Sequence, residues 1–183
     1  MGRLARLAVC LATMWLALPA HVPAQRAPFD EREVKAVFLF NFVQFVDWPA
    51  NAFSSPDAPV VIGVLGNDPY GRVLDDEVMG EMVKGRPIVV TRFRRVEDIK
   101  ACHVLFISPS EAAMYEHILA ALETQPTLTV GETEKFTTQG MVRFLTEQSR
   151  VRLEVNVEKA KAAGLTISSN LLRAARIVGA PRG

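Results

Sequence analysis

The sequence predicts an α/β protein: a three-layer sandwich whose mixed, mostly parallel sheet of about six strands has helices on both faces. Short, continuous apolar runs at 60–65 and 102–108 are typical of strands that are covered on both sides. These runs alternate with helical patterns, an order that favours parallel strands joined by right-handed crossovers. Near the C-terminus, 150–155 alternates between apolar and polar residues, which predicts an antiparallel hairpin. The hairpin argues against the competing fold, a purely doubly wound receiver-like domain.

The first predicted element is a helix at 30–48, and the rest of the domain is expected to pack around it. Asp30 can act as its N-cap with Glu33 three residues later, and Pro49 prevents it from continuing. Its apolar stripe is broader than that of a surface helix, so we expect other elements to cover more than one side. The stripe consists of Val34, Val37, Phe38, Leu39, Phe40, Phe42, Phe45 and Val46.

The other elements follow from apolar runs and from the turn and capping residues that bound them. Strands are predicted at 60–65, 88–93, 102–108, 127–130, 141–146 and 150–155. Helices are predicted at 69–79, 110–125, 156–163 and from Ser168 or Ser169 to Val178, with one helical turn at 96–101. With 183 residues, 49% of them hydrophobic, the chain fits a single globular domain.

The N-terminus is typical of a secretory signal peptide. Arg3 and Arg6 form a basic region, 7–18 is a short apolar segment, and small residues precede Gln25. The apolar segment is shorter than the roughly 20 residues that a spanning helix needs. We therefore predict a signal peptide at 1–24, a linker at 25–29, one domain at 30–179 and a tail at 180–183, with the mature protein exported to the periplasm.

Signal-peptide removal changes both the charge and the cysteine content. The 21 basic residues fall to 19 against 20 acidic ones, so the formal net charge goes from +1 to −1. That balance gives no electrostatic field for nucleic acid. Only Cys102 remains, so no internal disulfide is expected. Cys102 is either a buried small hydrophobic residue at the start of a strand, or a thiol for an intermolecular disulfide or redox sensing.

Residues for catalysis or metal binding do not form a pattern in this sequence. The two histidines of the mature chain, His103 and His117, fall on different predicted elements, and with a single cysteine they give no zinc motif. Ser108 and Ser110 follow a strand without the Gly-x-Ser-x-Gly elbow of hydrolases. We predict a protein that is not an enzyme and that has no metal and no cofactor.

One site hypothesis follows from the predicted topology. Ligands of open α/β sheets bind beyond the carboxyl ends of the strands, near helix N-termini. Asn67, Asp68, Ser108 and Ser110 follow two such strands, so they are candidate ligands for a small polar molecule. The alternative is that they are the turn and cap residues that any such fold requires.

The order of several segments resembles the YfiR family of exported proteins, from Glu33 to Val178. These segments are EVKAVFLFNFVQFVDWP, VIGVLGNDPYG, KGRPIVV, CHVLFIS, LTV, GMVRF, VRLEVN and AGLTISSNLLRAARIV. The resemblance implies a dimeric periplasmic repressor with a compact α/β fold. Such a protein binds the periplasmic sensor part of an inner-membrane diguanylate cyclase and is released by an outer-membrane lipoprotein. It also implies cyclic di-GMP signalling and biofilm formation downstream.

The resemblance also bears on individual residues. Cys102 matches the cysteine of the family's Cys-His strand motif, but its disulfide partner is not in this chain, so redox sensing would need contact between two subunits. A repressor is expected to bind its target through exposed aromatic and charged side chains. The candidates are Trp48, Phe53, Tyr70, Arg92, Arg94 and Arg95. A second functional class stays open: a periplasmic small-ligand sensor that acts with a histidine kinase or another membrane receptor.

Overall fold

The computed structural model describes residues 30–179, and one large sheet organises this part of the chain. The strands are β1 (Val46–Asp47), β2 (Val60–Leu65), β3 (Met82–Val83), β4 (Arg86–Phe93), β5 (Val104–Ile107), β6 (Leu128–Gly131), β7 (Val142–Glu147), β8 (Arg150–Asn156), β9 (Thr166–Ile167) and β10 (Arg176–Val178). The helices are α1 (Glu31–Phe45), α2 (Arg72–Val78), α3 (Tyr115–Leu122), α4 (Phe136–Gln139), α5 (Val157–Ala162) and α6 (Ser169–Arg173). Short 3₁₀ turns lie at Ala50–Ala52, Val96–Asp98 and Pro109–Met114.

The sheet is mixed and mostly parallel, as predicted, but it has eight strands rather than about six. Their order is β10-β8-β7-β6-β5-β2-β4-β3. The strands β4, β2, β5, β6 and β7 are successively parallel. The predicted hairpin is β7 and β8, which pair antiparallel from Val142 opposite Val155 to Glu147 opposite Arg150. The two-residue strands β1 and β9 form a separate antiparallel pair.

Both faces of the sheet carry a hydrophobic core, which confirms the three-layer prediction. On one face α1 and α2 pack against the sheet, with Leu39, Phe42 and Leu74 fully buried. On the other face α3 and α4 contribute Tyr115, Ile118 and Phe136. A strand between two such layers must be apolar on both sides, which is why β2 and β5 are continuous apolar runs.

The first helix begins where the sequence predicts and ends earlier. The Asp30 side chain accepts a hydrogen bond from the Arg32 amide at 2.9 Å, as an N-cap does. The helix stops at Phe45, because the next two residues leave the helix and pair with β9. The predicted apolar stripe is correct at Leu39 and Phe42 but wrong at Val37, which is 39% exposed.

Two further differences have local causes. α2 starts at Arg72 rather than at residue 69, because the Asp68 carboxylate accepts the Tyr70 amide at 2.7 Å and forms a turn there. The last helix was predicted to reach Val178 but ends at Arg173. The residues that follow form β10, which pairs in parallel with β8.

The predicted signal peptide (1–24), linker (25–29) and tail (180–183) lie outside the described residues. Within 30–179, no helix is both long and apolar enough to cross a membrane.

Candidate functional site

A buried ion pair lies at the carboxyl ends of the parallel strands, which the sequence did not reveal. The Lys35 ammonium lies 3.0 Å from Oε1 of Glu132, the residue after β6, and 2.5 Å from Oε1 of Glu31. The Lys35 side chain is only 9% exposed. The spacing of Lys35 with Leu39 and Phe42 on one helix face was the available signal, since it places a lysine on the buried side of α1.

Tyr70 joins this ion pair from the loop after β2. Its hydroxyl donates to Oε1 of Glu132 at 3.3 Å, and its ring packs edge-on against Phe106 at 4.9 Å between centroids. Burial, with the Glu132 carboxylate nearby, raises the pKa of Tyr70 far above its ordinary value. The hydroxyl therefore stays protonated as a donor. Tyr70 is 3% exposed and its side chain packs in the core, which weighs against the hypothesis that it binds a partner; that hypothesis stays a prediction.

Arg92 and Asp68 form a second polar group at the same edge. The Arg92 guanidinium contacts Asp68 through Nε at 2.9 Å, Asp75 through Nη1 at 2.5 Å and the Gly71 carbonyl at 2.9 Å. Burial of Asp68 opposes ionisation, but the Tyr70 amide and the Arg92 guanidinium outweigh it and lower the pKa of Asp68. Both side chains therefore stabilise the turn between β2 and α2.

The remaining predicted ligand residues contact one another. The backbone N–H of Asn67 donates to Oγ of Ser110 at 3.0 Å, and this hydroxyl donates to Oε1 of Glu111 at 3.0 Å. Oγ of Ser108, which is buried, accepts the Ser110 amide at 3.3 Å. The structure thus brings Asn67 and Ser110 together across the ends of two strands. Their hydrogen bonds are those of turn and cap residues, and the ligand hypothesis stays a prediction.

Arg94 and Arg95 lie beside a shallow groove beyond the end of β4. The groove measures about 170 Å³, and its other wall comes from the segment that leads into α3, including the half-exposed Met114. Nη2 of Arg95 lies 3.4 Å from Oδ1 of Asp98. Arg94 is exposed and makes no ion pair within residues 30–179. Of the predicted cationic cluster, Arg94 is therefore the side chain with a guanidinium free for a partner.

Trp48 and Phe53 lie at the opposite end of the sheet, near the starts of β2 and β5, where they enclose His103. The Phe53 ring stacks on the His103 ring at 4.5 Å, and Trp48 packs edge-on against it at 5.8 Å. The Trp48 indole N–H donates to the His103 carbonyl at 3.2 Å. The Arg86 guanidinium lies 3.9 Å above the outer face of Phe53. Both aromatic residues are half-buried, so only part of each could reach a partner.

His103 is neutral in this environment. Its Nδ1 accepts the Val61 amide at 3.0 Å. Burial, together with the charge of Arg86, lowers the pKa of His103 to about 4, although the Ala52 carbonyl opposes the shift. In the part of the chain that the structure covers, no group of three histidine, cysteine or acidic side chains could hold a metal ion.

Cys102 is a buried thiol at the start of β5. Its Sγ lies 3.2 Å from the Val104 carbonyl oxygen, and burial raises the pKa of Cys102 to about 12. Gly63 on β2 leaves room for the sulfur, because an added Cβ there would approach Sγ to 2.7 Å. These surroundings weigh against the redox hypothesis, which stays a prediction.

A larger groove of about 360 Å³ lies between α3, α4 and α5. Leu119, Leu122 and Met141 form apolar parts of its wall, and Glu123 and Lys159 contribute charge. None of the predicted ligand residues lines it. Several elements far apart in the chain supply the lining, so no local sequence pattern could have indicated it.

The fold and these sites define an α/β domain with a buried ion pair at Lys35 and with exposed polar and cationic residues at the ends of its strands. The chain belongs to the YfiR/HmsC-like family, which it matches over residues 32–176. This family is regulatory rather than catalytic, and it is generally periplasmic. Membership supports the general role of a periplasmic regulator.

Two solved structures resemble the chain at low sequence identity. No curated protein matches the chain. A conserved domain protein from Vibrio cholerae O1 biovar eltor aligns with 65% of this chain and 54% of its own at 14% identity, with a TM-score of 0.48. An ABC domain from Streptococcus pneumonia, solved in complex with L-Trp, aligns with 65% of this chain and 55% of its own at 9% identity and the same TM-score. The match thus spans little more than half of each of these structures.

Proposed function

We propose that this protein is a non-enzymatic periplasmic regulator that binds the periplasmic sensor part of an inner-membrane diguanylate cyclase and holds it inactive. The result is a lower level of cyclic di-GMP and less biofilm. The observation that carries the proposal is the family match over 32–176, which covers nearly the whole described domain. The proposal includes a homodimer as the active form and an outer-membrane lipoprotein that releases the cyclase by sequestering the regulator.

A repressor of this kind needs only a higher affinity for the inactive state of its target than for the active state. To shift a two-state equilibrium from mostly active to mostly inactive, this preference must reach about 10⁴-fold. Exposed side chains without internal partners are suited to supply such contacts. Arg94 meets that description, whereas Trp48 and Phe53 are accessible only in part, since Arg86 and His103 pack against the Phe53 ring.

The test is to express the full chain together with a membrane diguanylate cyclase from the same organism and to measure cellular cyclic di-GMP. The expected result is a fall in cyclic di-GMP and co-purification of the two proteins from solubilised membranes. A version without residues 1–24 should not repress, because it would stay on the wrong side of the membrane. Unchanged cyclic di-GMP, with the regulator present in the periplasm, would contradict the proposal.

The groove between α3 and α5 favours a second candidate, a small-ligand sensor that acts with a histidine kinase or another receptor. Its volume of about 360 Å³ lies within the range of small-molecule sites. Calorimetry with a metabolite panel tests it, using Lys159→Met for the groove and Asn67→Ala and Ser108→Ala for the strand ends. A metabolite whose binding one of these variants weakens would support this candidate, and a panel without any binding would count against it.

A further inference from the structure

One edge of the large sheet is open along most of β4. On one side β4 pairs in parallel with β2, from Ile88 opposite Val60 to Phe93 opposite Leu65. On the other side β3 pairs only with Arg86 and Pro87, the first two residues of the strand. Beyond Ile88, none of the described strands lies along 89–93. At about 3.3 Å a residue, this open stretch is roughly 16 Å long.

The hydrogen bonds of β4 identify the backbone groups that face outward. The Phe93 carbonyl accepts the Gly66 amide, so Phe93 faces β2, whereas the Ile88 amide donates to Glu81 on the outer side. Because alternate residues of a strand direct their backbone groups to opposite neighbours, Val90 and Arg92 face outward like Ile88. Each presents an N–H and a C=O to the open edge, a ready template for one more strand.

The side chains along this edge suit strand pairing. The stretch reads Ile-Val-Val-Thr, residues of high strand propensity, and Val89 is 37% exposed. Proline protects only the start of the strand, at Pro87. Arg92 directs its guanidinium to Asp68 and Asp75, so its charge does not shield the edge.

The cation at the end of the strand indicates the charge of the added segment. Arg94 follows β4, is exposed and makes no ion pair within the described chain, and Arg95 lies beside it. Neither Asp nor Glu occurs in β4 itself. A segment with a carboxylate near Arg94 would gain a charge-assisted contact there.

We propose that the open edge of β4 receives an extended acidic segment of a partner protein as an additional strand, with Val90 and Arg92 supplying the backbone hydrogen bonds and Arg94 pairing with a carboxylate. The identity of the partner rests on the proposed function. The open edge of β4 is observed independently of that function. A second copy of this chain fits less well. Antiparallel pairing of two β4 strands about Val90 would place residues 93 and 94 of each copy where β3 already pairs with Pro87 and Arg86, so the two strands could not align along that length.

The test selects random peptides of about twelve residues, a length that covers the edge, on the immobilised mature chain. Enriched peptides should combine alternating β-branched residues with Asp or Glu. When bound, they should slow hydrogen exchange at the Val90 and Arg92 amides of the wild-type chain. Val90→Pro removes an outward N–H without touching the β2 ladder and should weaken binding at least about tenfold. Arg94→Glu should also weaken it, whereas Arg152→Glu, an exposed arginine on β8, should not.

The possible outcomes separate the edge from the proposed function. Peptides that bind Val90→Pro as well as the wild type, or that leave the β4 amides unprotected, would overturn the inference. Protection that appears only as the chain dimerises would assign the edge to a second copy and would also overturn it. If peptides bind as described but no cyclase does, the edge stands and the proposed function fails. If the cyclase is repressed equally by Val90→Pro, the proposed function stands and the edge is not its docking site.

Discussion

The ammonium group of Lys35 lies 3.0 Å from a carboxylate oxygen of Glu132, although Lys35 belongs to the first helix and Glu132 follows the sixth strand. This ion pair joins α1 to the end of β6 in a site where Lys35 is almost inaccessible to water. A buried charge is tolerated only when its partners compensate the lost hydration. Removing either partner therefore leaves the other poorly solvated.

Lys35→Met should lower the free energy of unfolding by about 2 to 3 kcal/mol, somewhat less than for a fully buried pair because Glu132 is 24% exposed. Urea denaturation followed by circular dichroism measures the loss. The matched control is Arg32→Met on the same helix, where the ion pair is exposed to solvent and should contribute little. Equal losses of unfolding free energy in both variants would show that the buried ion pair stabilises the domain no more than the exposed one.

Stability should fall in mild acid because of His103. The pKa of His103 is about 4 in the folded chain and about 6.5 when unfolded, so the unfolded state binds the proton first. The stabilisation of the neutral form is complete above pH 6.5 and is lost as the pH falls toward 4, by on the order of 2 to 3 kcal/mol. Loss from Asp68, whose pKa is lowered, comes below pH 3.8.

Unfolding at a series of pH values between 7.5 and 4 tests this prediction. His103→Gln should flatten the profile in that window, whereas His117→Gln, a variant at an exposed position, should keep the wild-type shape. A wild-type free energy of unfolding that stays constant from pH 7 to 4.5 would contradict the assignment.

Phe53→Ala should raise the pKa of His103 toward its ordinary value, because the stacked ring at 4.5 Å keeps water from the imidazole. Titration of the His103 ring by NMR measures the change. The variant should also lose about 1 to 2 kcal/mol of stability, since half-buried apolar surface and a contact with Arg86 disappear. Partner binding by Phe53→Ala should therefore be measured together with its free energy of unfolding. An unchanged titration would contradict the packing role.

Cys102 should react slowly with a thiol reagent in the folded protein. Its pKa of about 12 leaves little thiolate at pH 8, and the sulfur is buried. We expect labelling to be limited by transient opening and to become rapid in urea. Under oxidant, non-reducing electrophoresis should give a monomer. Fast labelling of the native chain, or a covalent dimer, would instead support redox sensing through Cys102.

Gly140→Ala should destabilise the domain, because its Cβ would overlap Cε1 of the buried Phe136 ring. Overpacking of this kind costs about 1 to 3 kcal/mol. Adding Phe136→Leu should recover part of the loss by making room, so the two changes should be strongly non-additive in thermal unfolding. Additive effects would show that the glycine is needed for some reason other than this ring.

The fold was largely predictable, because its strongest signals are local. The caps Asp30 and Asn156 accept the backbone hydrogen bonds expected of them, and the buried strand β2 has the predicted bounds. The predicted secondary structure is wrong where pairing with a distant strand determines the conformation of a segment. Val178 fits the helical spacing of α6, but pairing with β8 makes its segment a strand. Lys84 and Gly85 both have positive φ in the turn between β3 and β4, a conformation that the sequence of this turn did not make evident.

The sites were less predictable than the fold. Asp68 and Arg92 lie at the predicted edge, but their contact with each other depends on strand register. Tyr70 was expected on the surface, and the turn at Asp68 directs it inward. The burial of Lys35 is not evident from the sequence, because a charged residue in an apolar helix is ordinarily expected on the solvent-exposed face.

The stacking of Phe42 on Phe144, at 5.9 Å between ring centroids, has a consequence for biogenesis. The chain is synthesised from its N-terminus, so the apolar surface of α1 appears long before the strand that covers it. During that interval the nascent polypeptide exposes the apolar side chains of α1 to the surrounding solution. We expect production of this protein to depend on a holding chaperone until the last third of the chain has been made.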